Sequence, residues 1–311
     1  MNISEHIKDY RICSIVGSTA TGKTALALKT AQELLTTKKA SRVHLLSADS
    51  RQVYKGLENL TGADIPEQFI ATKDSKLPYN FWQNPKQNIF LHGVSIINTQ
   101  EEWSAAHFKK LFLALSKSMK VSDFLIVVGG TGFYQQQISN PADTLNIPPN
   151  LELRLSLEKM SLDQLQKKLQ VLDQSKLQSL NHSDLNNPRR LMRAIEIAVF
   201  LQKQKSSLEK NEASHKLPIF YLQLEKVARE EKIKRRVEER FALAKKEVAE
   251  QLRQGKFNKA VASCTGFQEL RQLLAGEVDQ KTCLALWQKS EIQYAKRQDT
   301  WWKKRTDLCY I

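Results

Sequence analysis

The sequence predicts an α/β protein, a parallel sheet flanked by helices and interrupted by an inserted all-helical domain. Three observations predict it. Short apolar runs alternate with helical patterns over the first 140 residues, the signature of a sheet buried on both faces. A stretch with three prolines, ISNPADTLNIPPN (138–150), then opens a polar, helical segment without strand signals. Finally KLPIFYLQL (216–224), apolar and aromatic, returns the chain to the sheet.

The elements follow in order. RICSIVG (11–17) reads as a buried strand and TALALKTAQELL (24–35) as the helix after it. VHLLSA (43–48) is a second strand, and residues 57–100, rich in Asn, Pro and Trp, show no assignable element. WSAAHFKKLFLALSKSM (103–119) sets Phe108, Leu111, Phe112 and Leu115 at helical spacing. DFLIVVGG (123–130) is the third strand. Residues 151 to about 210 read as helices, with a Lys/Gln/Ser bias over 200–216. EEKIKRRVEERFALAKKEVAEQLRQG (230–255) reads as a long helix closed by Gly255 at the C′ position, and helices continue to Trp302. The expected division is therefore a core begun by residues 1–140, a helical insertion over 141–213 and a return to the core over 214–311.

With 311 residues, 41% of them hydrophobic, the chain is long enough to bury a substantial core. Its formal net charge of +15 favours a polyanionic partner such as nucleic acid. A soluble, self-repelling surface is the plainer reading of the same charge. Cys13, Cys264, Cys283 and Cys309 form no C-x-x-C pair and have no histidines gathered near them. That argues against zinc and for a reducing compartment. MNISEHIKDYR lacks the apolar core of a signal peptide, and no run reaches membrane-spanning length. A cytoplasmic protein is expected.

Between the first strand and its helix, Gly17, Ser18, Thr19, Ala20, Thr21, Gly22, Lys23 and Thr24 match G-x-x-x-x-G-K-[ST]. This is a P-loop, so the fold is expected to be P-loop NTPase-like. Glycines let backbone N–H groups wrap a phosphate, Lys23 reaches the terminal phosphates, and Thr24 holds Mg²⁺. Asp49 ends the second strand, a costly place for a carboxylate unless it has a task. It suits a Mg²⁺ ligand or a helix N-cap as well as a catalytic base. The third strand ends in Gly129-Gly130-Thr131-Gly132, a tight turn or a ligand loop. Ligands of such sheets bind at the carboxyl ends of the strands, so the P-loop, Asp49 and Thr131 are expected to share one crevice.

STATGKTALAL, SADSRQVYKGL and VVGGTGFY, in this order, resemble segments of bacterial tRNA dimethylallyltransferases, the isopentenyl-transferase family. NNPRRLMRAIEI, RVEERF, CTGFQEL and YAKRQDTWWK match four further segments, so the resemblance runs from about residue 12 to 305. It implies transfer of a dimethylallyl group from dimethylallyl diphosphate to N6 of the adenosine 3′ of the anticodon, with Mg²⁺ as cofactor. The P-loop would then hold a diphosphate leaving group. Asp49 stands where the family has its general base, with Thr131 and Lys23 completing the catalytic set. Asp49 itself, Ser50, Arg51 and Gln52, and again Thr131, correspond to contacts with the flipped base and adjoining RNA. Arg154, the run Arg189, Arg190, Leu191, Met192 and Arg193, and Gly266, Phe267 and Gln268 correspond to further contacts with the anticodon stem-loop. Arg236 and Arg240, four apart on one helix face, are assigned to the diphosphate. The chain departs from the family at Asn59-Leu60-Thr61-Gly62-Ala63, where I-G-T-G-K or I-G-T-A-K is usual, at HGVSIIN (92–98), which lacks an aspartate, and at GFQEL for GYKEL. No membrane partner is implied, and a monomer is the simplest assembly.

From the residues alone, two other functions remain open. A nucleoside or nucleotide kinase would use the same P-loop, with Asp49 orienting an acceptor hydroxyl. A binding module could keep the fold without turnover.

Overall fold

A computed structural model describes residues 3–7, 10–203 and 217–311. The last part of the expected helical run and most of the Lys/Gln/Ser-biased segment, 204–216, lie outside the described residues. The chain divides into two compact units, one of residues 1–140 with 214–311 and one of residues 141–213.

The larger unit is built on one eight-stranded sheet. Its strands are β1 (Ile12–Val16), β2 (Arg42–Ser47), β3 (Ile70–Thr72), β4 (Phe81–Asn84), β5 (Ile89–His92), β6 (Asp123–Gly129), β7 (Ile219–Tyr221) and β8 (Leu308–Tyr310). They lie in the order β3-β4-β5-β2-β6-β1-β7-β8. The six strands from β5 to β8 are parallel, and only the β3–β4 and β4–β5 pairs are antiparallel. Three strands thus lie in the stretch 57–100 that the sequence left unassigned. Each has only three or four residues, too short for alternation to register. β8, likewise three residues, was also not anticipated.

Alternation along the parallel strands builds two buried faces. Cys13 and Ile15, Val43 and Leu45, and Phe124 and Ile126 face one side, where they cluster with Ala27, Ala31 and Leu34 of α1 (Lys23–Thr36). On the other side Val16, Ile219 and Tyr221 pack on Trp302, at the end of the C-terminal helix. α2 (Ala105–Ser118) has the expected buried stripe of Phe108, Leu111, Phe112 and Leu115 and is capped by Ser104. α3 (Gly132–Ser139) follows β6.

The smaller unit contains α4 (Leu151–Leu157), α5 (Leu162–Leu172) and α6 (Pro188–Lys203) among its helices. Leu157, Leu165, Leu169, Leu191, Ala194 and Ile195 form its core. Pro188 occupies the first turn of α6, and the Asn187 side chain accepts from the Arg190 N–H at 3.3 Å, as a cap should. Glu196 is also buried, on a different face of α6 from Leu191, Ala194 and Ile195. Arg154 grips it with two hydrogen bonds, 2.7 and 2.9 Å, and Arg193 adds a third at 3.3 Å. Burial alone would raise the Glu196 pKa, but Arg154, the Asn150 amide and Arg193 outweigh it and hold the carboxyl below its usual range.

The rest of the larger unit is α7 (Lys226–Gln254), ended by Gly255, with α8 (Phe267–Leu274) and α9 (Gln280–Trp302). Among the described residues no helix is long and apolar enough to cross a membrane.

Two ionic arrangements lend themselves to test. On the sheet face away from α1, His44 Nδ1 and His92 Nε2 meet at 3.1 Å, and His44 stacks on Phe90. Burial depresses His44 to about 4 and drives His92 well below 6.5. Both histidines therefore enter the fold neutral, while the unfolded chain protonates them as pH falls through 6.5. Stability is fully present above that value and is lost as pH falls toward 4. Urea unfolding at about pH 7.5 and about pH 5.5 should show a loss of about 1.4 kcal/mol per histidine. An unchanged midpoint would refute the neutral pair. In the helical unit, Glu196→Ala strands two arginines and is expected to cost about 3 kcal/mol in chemical denaturation.

Candidate active site

Because β1, β2 and β6 are parallel, Val16, Ser47 and Gly129 end at the same edge of the sheet. The Ala48 N–H donates to the Val128 carbonyl at 2.7 Å and the Thr131 N–H to the Ala48 carbonyl at 3.3 Å. The loops after β2 and β6 are therefore tied together where they leave the sheet. A crevice of about 550 Å³ opens there, within the range of small-ligand sites. Thr19, Ala20, Gly22, Lys23 and Thr24 line one side, with Asp49, Arg51 and Gln52 beside Gly129 and Gly130. Thr131 lies one residue behind.

The P-loop is formed by its own chemistry. Gly22 has φ 96°, a left-handed conformation that only glycine adopts readily, and it turns the chain into α1. The Thr21 hydroxyl donates to the Ser18 carbonyl at 2.9 Å, while the buried Ser18 hydroxyl has no hydrogen-bond partner. Lys23 Nζ donates to the same carbonyl at 2.5 Å. Burial, and then the charge of Arg236, lowers the Lys23 pKa to about 8.

Asp49 Oδ1 accepts the Arg51 N–H at 2.8 Å and the Gln52 N–H at 3.4 Å. This Asx turn fixes the carboxylate at the crevice wall, with one oxygen committed to the backbone. Ser50 is half-buried but does not line the crevice. The Arg51 guanidinium donates to the Ser263 hydroxyl at 3.1 Å. The Gln52 amide bridges the Ser47 hydroxyl and the Gly62 carbonyl, at 2.9 and 3.0 Å. The Thr131 hydroxyl is buried without a hydrogen bond of good geometry, and the Tyr294 phenol interacts with it.

Opposite the P-loop, α7 supplies both Arg236 and Arg240. Arg236 reaches the Gly62 carbonyl at 2.8 Å and Asp64 at 2.7 Å, and Arg240 reaches the Asn59 carbonyl at 3.1 Å. Glu247 of α7 accepts the N–H groups of Asn59 and Leu60 at 2.9 and 2.7 Å. The segment that departs from the family pattern is thus clasped along α7. Gly62 has φ 64°, a left-handed conformation that favours glycine, and a Cβ would crowd both guanidinium groups at 2.5 Å.

Three of the residues expected at the RNA are buried in this structure. Leu191 and Phe267 are fully buried in their cores, and Gly266 packs so closely on Trp287 that a Cβ would lie 2.4 Å from the indole. The Leu191 and Phe267 side chains pack in these cores, and Gly266 presents backbone alone. Gln268 is exposed and donates to the Ala262 carbonyl at 2.8 Å. In the helical unit Arg189 is exposed, Arg190 is exposed and paired with Asp184, and Met192 is half-buried. Arg154 and Arg193 hold Glu196 as described, and Arg193 also donates to the Ile147 carbonyl at 2.8 Å.

Sequence reasoning missed the wall built by α9. Glu291, Tyr294 and Gln298 line the crevice. Glu291 accepts from the Thr265 hydroxyl at 3.0 Å and lies 3.6 Å from Arg240. Tyr294 is held protonated by burial first and by the Asp49 charge next. A signal was available, because Glu291 and Gln298 fall in the buried stripe of Trp287, Ala295 and Trp302. A polar residue at a core position of a helix needs an internal partner.

A model of the family described as IPP transferase matches residues 52–305. A tRNA dimethylallyltransferase of Azobacteroides pseudotrichonymphae is 29% identical over 96% of this chain and 90% of its own length. One from Shewanella sediminis is 28% identical over the same shares. Among solved structures, the tRNA isopentenylpyrophosphate transferase of Bacillus halodurans superposes with a TM-score of 0.62 at 23% identity, over 97% of this chain and 89% of that one. A eukaryotic dimethylallyltransferase acting on tRNA gives 0.70 at 20% identity, over 96% of this chain and 73% of that one. These two likenesses concern the fold, a P-loop-like sheet flanked by helices. With more than half its length matched, the chain belongs to the IPP transferase family.

Proposed function

We propose that this protein transfers a dimethylallyl group from dimethylallyl diphosphate to N6 of the adenosine 3′ of the anticodon in tRNA, releasing diphosphate. The observation that carries the reading is the crevice of an IPP transferase family chain. There a phosphate cradle and two arginines face a carboxylate fixed at a strand end. Leu45, Leu91, Val94 and Val128 give the same crevice an apolar floor suited to a short branched hydrocarbon.

The diphosphate sits at the N-terminus of α1, where loop amides, Lys23, Arg236 and Arg240 stabilise the charge that builds as the C–O bond breaks. N6 of the adenine bonds to the allylic carbon as that bond breaks. The amine is a poor nucleophile because its lone pair is delocalised into the ring, so loss of its proton must accompany attack. Asp49 takes that proton through the oxygen that its Asx turn leaves uncommitted. Thr131, behind the Gly129–Gly130 turn, and Tyr294 border the reacting centre.

Mg²⁺ fits this site. Among the described residues no group of three or more His, Cys, Asp or Glu side chains could hold a metal, but Mg²⁺ is commonly bound by one or two protein ligands together with substrate phosphates. The Thr24 hydroxyl, at the crevice wall, would hold it. Bound there, Mg²⁺ neutralises charge on the leaving diphosphate.

Arg51, Gln52 and Ser50 adjoin the flipped base, an extrusion that costs a few kcal/mol. The helical unit offers Arg154, Arg189, Arg190, Leu191, Met192 and Arg193 to tRNA, and the larger unit by itself offers Gly266, Phe267 and Gln268. The net charge of +15 draws the RNA in. The protein acts as a cytoplasmic monomer.

Asp49→Ala should leave tRNA binding intact and lower turnover by about 10²–10⁴-fold, the range for a lost general base. Transfer of radiolabelled donor to unmodified tRNA, with the product nucleoside identified by chromatography, checks it. Equal loss of binding and rate would make Asp49 a recognition residue. For Lys23, a free-state pKa of about 8 means that the ammonium, the form that attracts diphosphate, disappears as pH rises through that value. Binding of the anion raises this pKa, so affinity should fall up to about tenfold per pH unit above it. Calorimetry with inorganic pyrophosphate at about pH 7 and about pH 9 reads the effect.

A further inference from the structure

The motif YAKRQDTWW contains Gln298, which the reaction described above does not use. Gln298 is 6% exposed, on the inner face of α9, and its side chain lies between the two glycine loops that hold the reactants. Its Oε1 accepts the Thr19 N–H of the P-loop at 2.8 Å. On its other side, Nε2 presses so close to the β6 turn that a Cβ on Gly130 would lie 2.2 Å from it. The same Cβ would stand 3.0 Å from the Gly17 carbonyl, so the P-loop and the β6 turn meet at this side chain.

α9 is fixed at this point. The Trp302 indole donates to the Gly130 carbonyl at 3.3 Å, and Asp299 accepts from the Tyr221 hydroxyl at 2.9 Å and pairs with Arg229. Gln298 therefore projects from a rigid helix end. A glutamine suits the position, because the P-loop N–H needs an acceptor and a carboxylate would repel the diphosphate beside it. With the Thr19 N–H turned toward α9, the amides that follow it are left for the anion.

We propose that Gln298 is a positioning residue that sets the P-loop, and with it the leaving diphosphate, at a fixed distance from the Gly129–Thr131 turn beside the nucleophile. A displacement of about an ångström between reacting groups costs on the order of 10²-fold in rate. Because diphosphate itself is held by other groups, the effect belongs in turnover and not in binding. The proposal rests on the prenyl-transfer reading.

The test compares wild type with Gln298→Met, which keeps the length and removes the acceptor. Gln298→Asn, which withdraws the amide by one methylene, is the second variant should Gln298→Met be unstable. Steady-state transfer to tRNA gives kcat and KM for dimethylallyl diphosphate, calorimetry gives the Kd of inorganic pyrophosphate, and thermal melting reports folding. Either variant should lose about 10–100-fold in kcat, with pyrophosphate Kd within about threefold of wild type and the melting temperature nearly unchanged. A kcat within about twofold of wild type overturns the proposal. So does a parallel loss of pyrophosphate affinity and rate, which would make Gln298 a diphosphate ligand or a plain structural support. Wild-type protein that binds pyrophosphate but transfers nothing refutes the prenyl-transfer reading instead.

Discussion

The shared direction of β1, β6 and β2 is the constraint on which the site depends. Parallel strands need crossover connections, and each crossover here begins at the same sheet edge with a loop that carries chemistry. The P-loop follows β1, the Asp49 turn follows β2, and the glycine turn with Thr131 follows β6. Two backbone hydrogen bonds at Ala48 then fix the β2 and β6 loops to each other. The P-loop, Asp49 and Thr131 are thus brought together by sheet register, and side chains only refine their placement.

Much of the arginine in this basic chain is structural. Arg42 binds Asp123 with contacts of 3.0 and 2.5 Å, Arg229 is buried on Asp299, and Arg154 and Arg193 enclose Glu196. Arg236 and Arg240 are shared between the crevice and the carbonyls of the 59–62 segment. Guanidinium suits such work because its planar fork serves several acceptors at once. A count of cations therefore overstates what is presented to a polyanion.

What could be read from the sequence follows from the range of the forces involved. The P-loop was legible because its glycines and Lys23 form a local device, and β1, β2 and β6 because each is a continuous apolar run. In α6, Leu191, Ala194, Ile195 and Ala198 recur at helical spacing and are buried, a pattern readable from the residues themselves. The β3–β4 hairpin was hidden by its brevity. The roles of Glu291, Tyr294 and Gln298 were hidden because their partners, Arg240, Thr131 and Thr19, are distant in sequence. Glu247 is a similar case, since its clasp on Asn59 and Leu60 joins residues 188 and 187 positions apart.

The sheet pairs Ser14 with Ile219, so its third strand from one edge is completed only by the last third of the chain. The same last third supplies Arg236, Arg240, Tyr294 and Gln298. During synthesis, which proceeds from the N-terminus, the P-loop is made early and its opposite walls late. A nascent chain therefore carries the phosphate loop without the cations and the helix that turn it into a binding site. A chain cut short before Trp302 would lose the anchor that holds α9 on the sheet, and with it the crevice wall that α9 builds.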